Sequence, residues 1–243
     1  MEELINPPEF PPFPSSIPSS TLSVPMVDRN DQTLLLTGFG LWDSETRNSS
    51  WEAIRDLDLD LPVNWSVRRQ KLPVDWELGP PTLRSLIDDT IVTAVCFGMC
   101  GGSEIRPERL AANLNDRNRR DAREALSRSD HVVEEGPPAY WTALDYESLV
   151  GELRSAGLPT VESRDAGGFL CNAIFYTLMH ERKQRRASFP AGFIHLPHIE
   201  PDEGLSLAIL KRAVGICIDH AIGLVKQTES RHIASPTLGG TDL

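Results

Sequence analysis

Three short apolar runs constrain this chain most: TLLLTGF at 33–39, IVTAVCFGMC at 91–100 and AGFIHLPHI at 191–199. Near-continuous apolar segments of this length, broken by glycine or proline, read as strands buried on both faces. Helix-spaced segments separate them. SSWEAIRDL offers Ser49 or Ser50 as a cap, and PPTLRSLIDDT follows. YESLVGELRSAG stops at Gly157, a residue suited to a C-cap, and GLSLAILKRAVGICIDHAIG is the last long helix. WSVRRQKLPV alternates as a strand, PTVESRDAGG is expected to be extended, and RRDAREALSRSD is expected to be helical. Strands alternating with helices predict an α/β domain, a three-layer α/β/α sandwich around a mostly parallel sheet.

The chain has 243 residues, 40% of them hydrophobic, which suits one substantial core. Residues 1–31 are dense in proline and serine without a period and read as an extension that does not fold alone, although Phe10 and Phe13 offer docking points. The domain is expected over 32–226, followed by a polar tail at 227–243. A net charge of -11 repels phosphate backbones, so nucleic acid is not an expected partner. No apolar run approaches the roughly 20 residues that span a bilayer. The acidic, proline-containing start lacks the basic and apolar regions of a secretory signal, so a cytoplasmic protein is expected.

Four cysteines stand at 96, 100, 171 and 217. Without paired ligand spacings they form no metal motif, and Cys96 and Cys100 read as packing residues in a strand. Cys171 is different. It follows Gly167 and Gly168 where a helix begins, and the unpaired N–H groups of a helix start stabilise a thiolate. On this segment alone, a nucleophile and a buried packing cysteine are both open readings. His195 closes an apolar strand, at the end where α/β sheets gather ligands, and can move a proton for such a nucleophile. His198 competes with it. Glu104 and Glu108, in GGSEIRPERLAAN, are acidic candidates to orient the imidazole.

Several blocks resemble the pyroglutamyl peptidase I family of cysteine exopeptidases. They are LLLTGFGLWDSETRNSSWEAI, GGSEIRPERLAAN, EEGPPAYWTAL, DAGGFLCNAIFYTLMH and AGFIHLPHI, which together span roughly 33–223. The resemblance places the nucleophile on Cys171, the histidine on His195 and the glutamate on Glu108. It implies removal of N-terminal pyroglutamate from small peptides, without metal or cofactor, by a chain that forms dimers or tetramers. It also implies a lactam pocket between aromatics. Phe39 keeps its place there, Trp42 stands at the second aromatic position, and Asp43 replaces a glycine. Asn48 matches an asparagine that positions this loop. Asn118 falls where the family carries an arginine, with Arg117 and Arg119 on either side. These departures keep two other readings open: a thiol amidohydrolase for another small N-acyl or lactam substrate, and a non-enzymatic binding protein on the same fold.

Overall fold

The computed structural model describes residues 32–43, 45–199 and 204–234. The extension at 1–31, with Phe10 and Phe13, and the last residues of the polar tail lie outside them. In chain order the elements are β1 (Gln32–Phe39), α1 (Ser49–Glu52), β2 (Trp65–Leu72), α2 (Gly79–Leu86), β3 (Ile91–Cys100), β4 (Arg106–Glu108), β5 (Leu110–Ala112), β6 (Ala139–Trp141), α3 (Tyr146–Ser155), α4 (Leu170–Gln184), β7 (Ala191–Pro197) and α5 (Leu207–Ala234).

The main sheet has the order β2-β1-β3-β7-β4. Its first four strands are parallel, and β4 joins the edge antiparallel to β7. Strands β5 and β6 form a separate antiparallel pair. Successive side chains of a strand point to opposite faces, so a strand buried on both faces feeds two cores. On β1, Leu35 packs into a core with Leu83, Ile174, Phe175 and Phe193, from α2, α4 and β7. Its neighbours Leu34 and Leu36 join Ile54, Leu153, Val214 and Ile218 on the other face, near α1 and from α3 and α5. This is the expected three-layer α/β/α arrangement. Burial of each such side chain stabilises the fold by about 1.5–3 kcal/mol.

Three local expectations change. Residues 119–130 form turns rather than a helix. The Asp121 carboxylate accepts hydrogen bonds from the backbone N–H groups of Trp76, Arg123 and Ala125, and so competes with helical pairing. Burial works against that charge, yet these donors hold the Asp121 carboxyl below its usual range. The segment at 159–168 forms no strand and pairs its backbone with the sheet side through the isolated bridges Ile105–Thr160 and Glu108–Ser163. Finally, α5 runs past the expected boundary to Ala234. Its polar turns fold their hydroxyls inward along the helix: Thr228 Oγ1 donates to Leu224 O at 3.0 Å and Ser230 Oγ to Lys226 O at 2.8 Å. Among the described residues no helix is long and apolar enough to cross a membrane.

Candidate active site

The carboxyl ends of β1, β3 and β7 open into a cavity of about 440 Å³. Glu108, Cys171 and His195 all line it, and so do Phe39, Trp42 and Asn48. Strand register explains the first meeting. In the β4–β7 pair, Arg106 lies opposite His195 and Glu108 lies opposite Phe193. Glu108 is therefore a diagonal neighbour of His195 on one face, within reach of a long side chain. Its Oε1 lies 2.7 Å from His195 Nδ1, and both residues are buried.

Cys171 arrives from the other layer. It sits in the first turn of α4, whose N-cap residue, Phe169, supplies no side-chain hydrogen bond. The N–H groups of that turn have no intrahelical acceptor. Asn172 fixes the turn against β5: its Oδ1 accepts from Ala112 N, and its Nδ2 donates to Ala112 O and Leu114 O. The thiol then rests on Gly98 of β3, the partner of His195 across the sheet. A Cβ placed on Gly98 would lie 2.8 Å from Cys171 Sγ and 2.7 Å from the Phe193 ring, so only glycine admits the sulfur here. Upstream, Gly167 takes φ +78, a left-handed turn that favours glycine.

The charges follow from this packing. Burial disfavours the protonated His195 ring, but the charge and hydrogen bond of Cys171, then those of Glu108, outweigh it and raise its pKa to about 9. The other cysteines are unlike Cys171. Cys96 and Cys217 are fully buried, and burial raises both thiols, that of Cys96 to about 12. Cys100 lines the cavity as well as packing in the strand, and burial pushes its thiol up to about 12. These three stay protonated near neutral pH. The rival acid and histidine are engaged elsewhere. Glu104 pairs with Arg106 at 3.4 Å, and His198, half exposed at the cavity rim, pairs with Glu45 at 3.4 Å. Among the described residues no group of three or more His, Cys, Asp or Glu side chains is disposed to hold a metal ion.

The upper wall is built from loops. Asn48 caps α1 by accepting from Ser50 N at 3.1 Å, and its Nδ2 donates to Gly40 O at 2.9 Å, which ties down the loop after β1. Trp42 packs on Phe169, with ring centroids 5.2 Å apart. The Arg119 guanidinium lies 4.4 Å from the centroids of both rings. Arg119 thus lines the cavity, whereas Asn118 does not. Asn118 N instead donates to Asp116 Oδ1 at 2.9 Å, closing a turn that carries the next residue inward. Phe169 and Gly98 were not singled out as site residues from the sequence; Arg119 was read only as a flank of position 118, where a one-residue shift would restore a cation, and that shift is what the cavity shows. The glycine inside a strand run was the readable signal for Gly98.

A family model described as pyroglutamyl peptidase matches residues 32–228. The chain belongs to this family. Its members are cysteine peptidases, and this chain is one of them. Among similar proteins, the pyrrolidone-carboxylate peptidase of Bacillus licheniformis is 34% identical over 194 residues, covering 75% of this chain and 89% of that protein. The pyrrolidone-carboxylate peptidase of Bacillus amyloliquefaciens is 33% identical over 221 residues, covering 88% and 99%. The crystal structure of the Bacillus amyloliquefaciens pyroglutamyl peptidase I superposes with a TM-score of 0.73 at 32% identity, covering 79% of this chain and 97% of that one. A mutant pyrrolidone carboxyl peptidase from the hyperthermophile Pyrococcus furiosus gives 0.74 at 25% identity, covering 80% and 100%. The family match therefore spans β1 through most of α5, the elements that build the cavity.

Proposed function

We propose that this pyroglutamyl peptidase family member cleaves the amide between an N-terminal pyroglutamyl group and the next residue, using Cys171, His195 and Glu108. The observation that carries this reading is the buried His195–Glu108 bond of 2.7 Å in the same cavity as Cys171. The Cys171 thiolate attacks the pyroglutamyl carbonyl, and the oxyanion is met by N–H groups of the first turn of α4. The imidazolium of His195 passes its proton to the departing amine, leaving a thioester. His195 then takes a proton from water, the hydroxide attacks the thioester, and pyroglutamate leaves as the thiol is restored. Glu108 holds the ring by Nδ1 and stabilises its positive charge. Phe39 and Trp42 offer apolar faces to the lactam, and Asn48 holds their loop in place. Arg119 takes the part that position 118 was expected to play as a polar donor. This reading includes a cytoplasmic site of action and a homo-oligomer, a dimer or tetramer.

One observation favours a second substrate reading. The exposed Arg119 guanidinium on Trp42 and Phe169 adds a cation to the acyl end, which suits another small N-acyl or lactam group with a strong acceptor. Fluorogenic amides of pyroglutamate, proline, acetate and a carboxylated acyl group test both. A kcat/KM highest for the pyroglutamyl amide supports the first reading. A higher value for another acyl group moves the assignment to the second.

A further inference from the structure

The Glu108 carboxylate has two oxygens, and the reading above uses only Oε1. Oε2 accepts a hydrogen bond from Ser163 Oγ at 2.5 Å, the short range of a hydroxyl on a charged oxygen. Ser163 lies outside the cavity lining, on the far side of Glu108 from the ring. We propose that Ser163 is a positioning residue, which fixes the Glu108 carboxylate, ionised and aimed at Nδ1, through a Ser163–Glu108–His195–Cys171 chain. The inference rests on the function proposed above.

The backbone of Ser163 is held as firmly as its side chain. Its N–H donates to the Tyr146 hydroxyl at 2.8 Å, and that hydroxyl donates to Ser163 O at 3.1 Å. The same carbonyl accepts from Arg109 N at 3.1 Å, and Ser163 bridges to Glu108 itself. Helix α3, through Tyr146, and strand β4 thus set the hydroxyl before any substrate arrives. A buried carboxylate with one free oxygen swings between rotamers; a donor on that oxygen opposes the swing. The groups that act on this site are His195 from β7, Cys171 from α4, Cys100 from β3, Arg106 of β4 with its partner Glu104, and Tyr146 from α3, with Arg109 and Glu162 beside Tyr146.

The test is the pH profile of Cys171 alkylation by iodoacetamide, run beside steady-state kinetics on the pyroglutamyl amide. In Ser163→Ala, kcat is expected to fall about tenfold with KM unchanged, the scale of one charge-assisted hydrogen bond. The acid limb of the alkylation profile is expected to move up by about one pH unit, because a loosely held Glu108 supports the imidazolium less and the thiolate–imidazolium pair gives way to neutral thiol and imidazole. Ser163→Thr, which keeps the hydroxyl, is expected to restore both. A purely structural serine would lower the active fraction equally at all pH values. An Ala variant whose profile superimposes on the wild type, or whose acid limb moves down, overturns the proposal. If Ser163→Ala does not fold, Tyr146→Phe carries the test: it frees the Ser163 backbone and is expected to shift the limb the same way by less, and no shift overturns the proposal. A wild type without a reactive thiol would sink the underlying triad instead, so the two failures are distinguishable.

Discussion

The floor and the upper wall of the cavity are built by different means. The floor is sheet: His195 and Glu108 are placed by strand register, Cys171 by a helix pinned through Asn172, and the sulfur by the bare backbone of Gly98. Its polar contacts are short: the His195–Glu108 contact is buried at 2.7 Å and the Ser163–Glu108 contact part-buried at 2.5 Å. The wall is loop: Trp42 Nε1 reaches Arg120 O at 3.2 Å, Trp76 Nε1 reaches Arg119 O at 3.3 Å, and Asp43 takes φ +57. Apart from the Asn48 anchor, a wall held by such longer, exposed bonds can exchange side chains at small cost to the fold. The floor cannot, since each member is fixed by several neighbours. On the proposed function, chemistry resides in the floor and substrate choice in the wall.

Changes to the floor should show in kcat and changes to the wall in selectivity. The largest effect among them is expected from Glu108→Gln, which removes the charge that supports the imidazolium; kcat should fall by about 10²-fold or more with little change in KM. Steady-state kinetics on the pyroglutamyl amide would expose an equal loss in KM, which would blur the contrast. Gly98→Ala comes next. The added methyl displaces Cys171 Sγ or the Phe193 ring, and turnover should fall by about 10²-fold with the protein still folded, as followed by circular dichroism. In the wall, Arg119→Ala and Trp42→Phe should change the ranking of acyl amides by about three- to tenfold in kcat/KM, leaving the rate of Cys171 alkylation unchanged.

The smallest effect is on stability. His195 has its pKa raised from 6.5 to about 9, so its protonated form contributes stability that is complete below pH 6.5 and is lost as pH rises through about 9. The gap in Tm between wild type and His195→Gln should narrow over that window; a gap that widens would contradict the charged ring.

Much of the floor was legible because its signals are local. Apolar strand runs, a glycine pair before a helix start and a histidine closing a strand are all written in consecutive residues. The match of Glu108 rather than Glu104 came from family resemblance, and strand register explains it: only Glu108 lies diagonal to His195 on β7. The wall was less legible. At 119–130, helix-like spacing misled because Asp121 draws two nearby backbone N–H groups into turns and takes a third from distant Trp76, an effect of one side chain that periodicity does not carry. That same folding brings Arg119 to the cavity in place of Asn118. Ser163 was hidden for a related reason, since its partner is 55 residues away in sequence. The helical reading of 204–223 stopped short of the full length of α5 because its final turns are polar, while their hydroxyls are satisfied by carbonyls of the preceding turn.

The central claim is that Cys171, alone among the four cysteines, forms the covalent bond to substrate. The most direct measurement is release of the fluorophore from a pyroglutamyl amide by wild type and by Cys171→Ala, with both shown to be folded. The account predicts steady release by the wild type and none above background by the variant. Equal release by both would contradict it and take Cys171 out of the reaction.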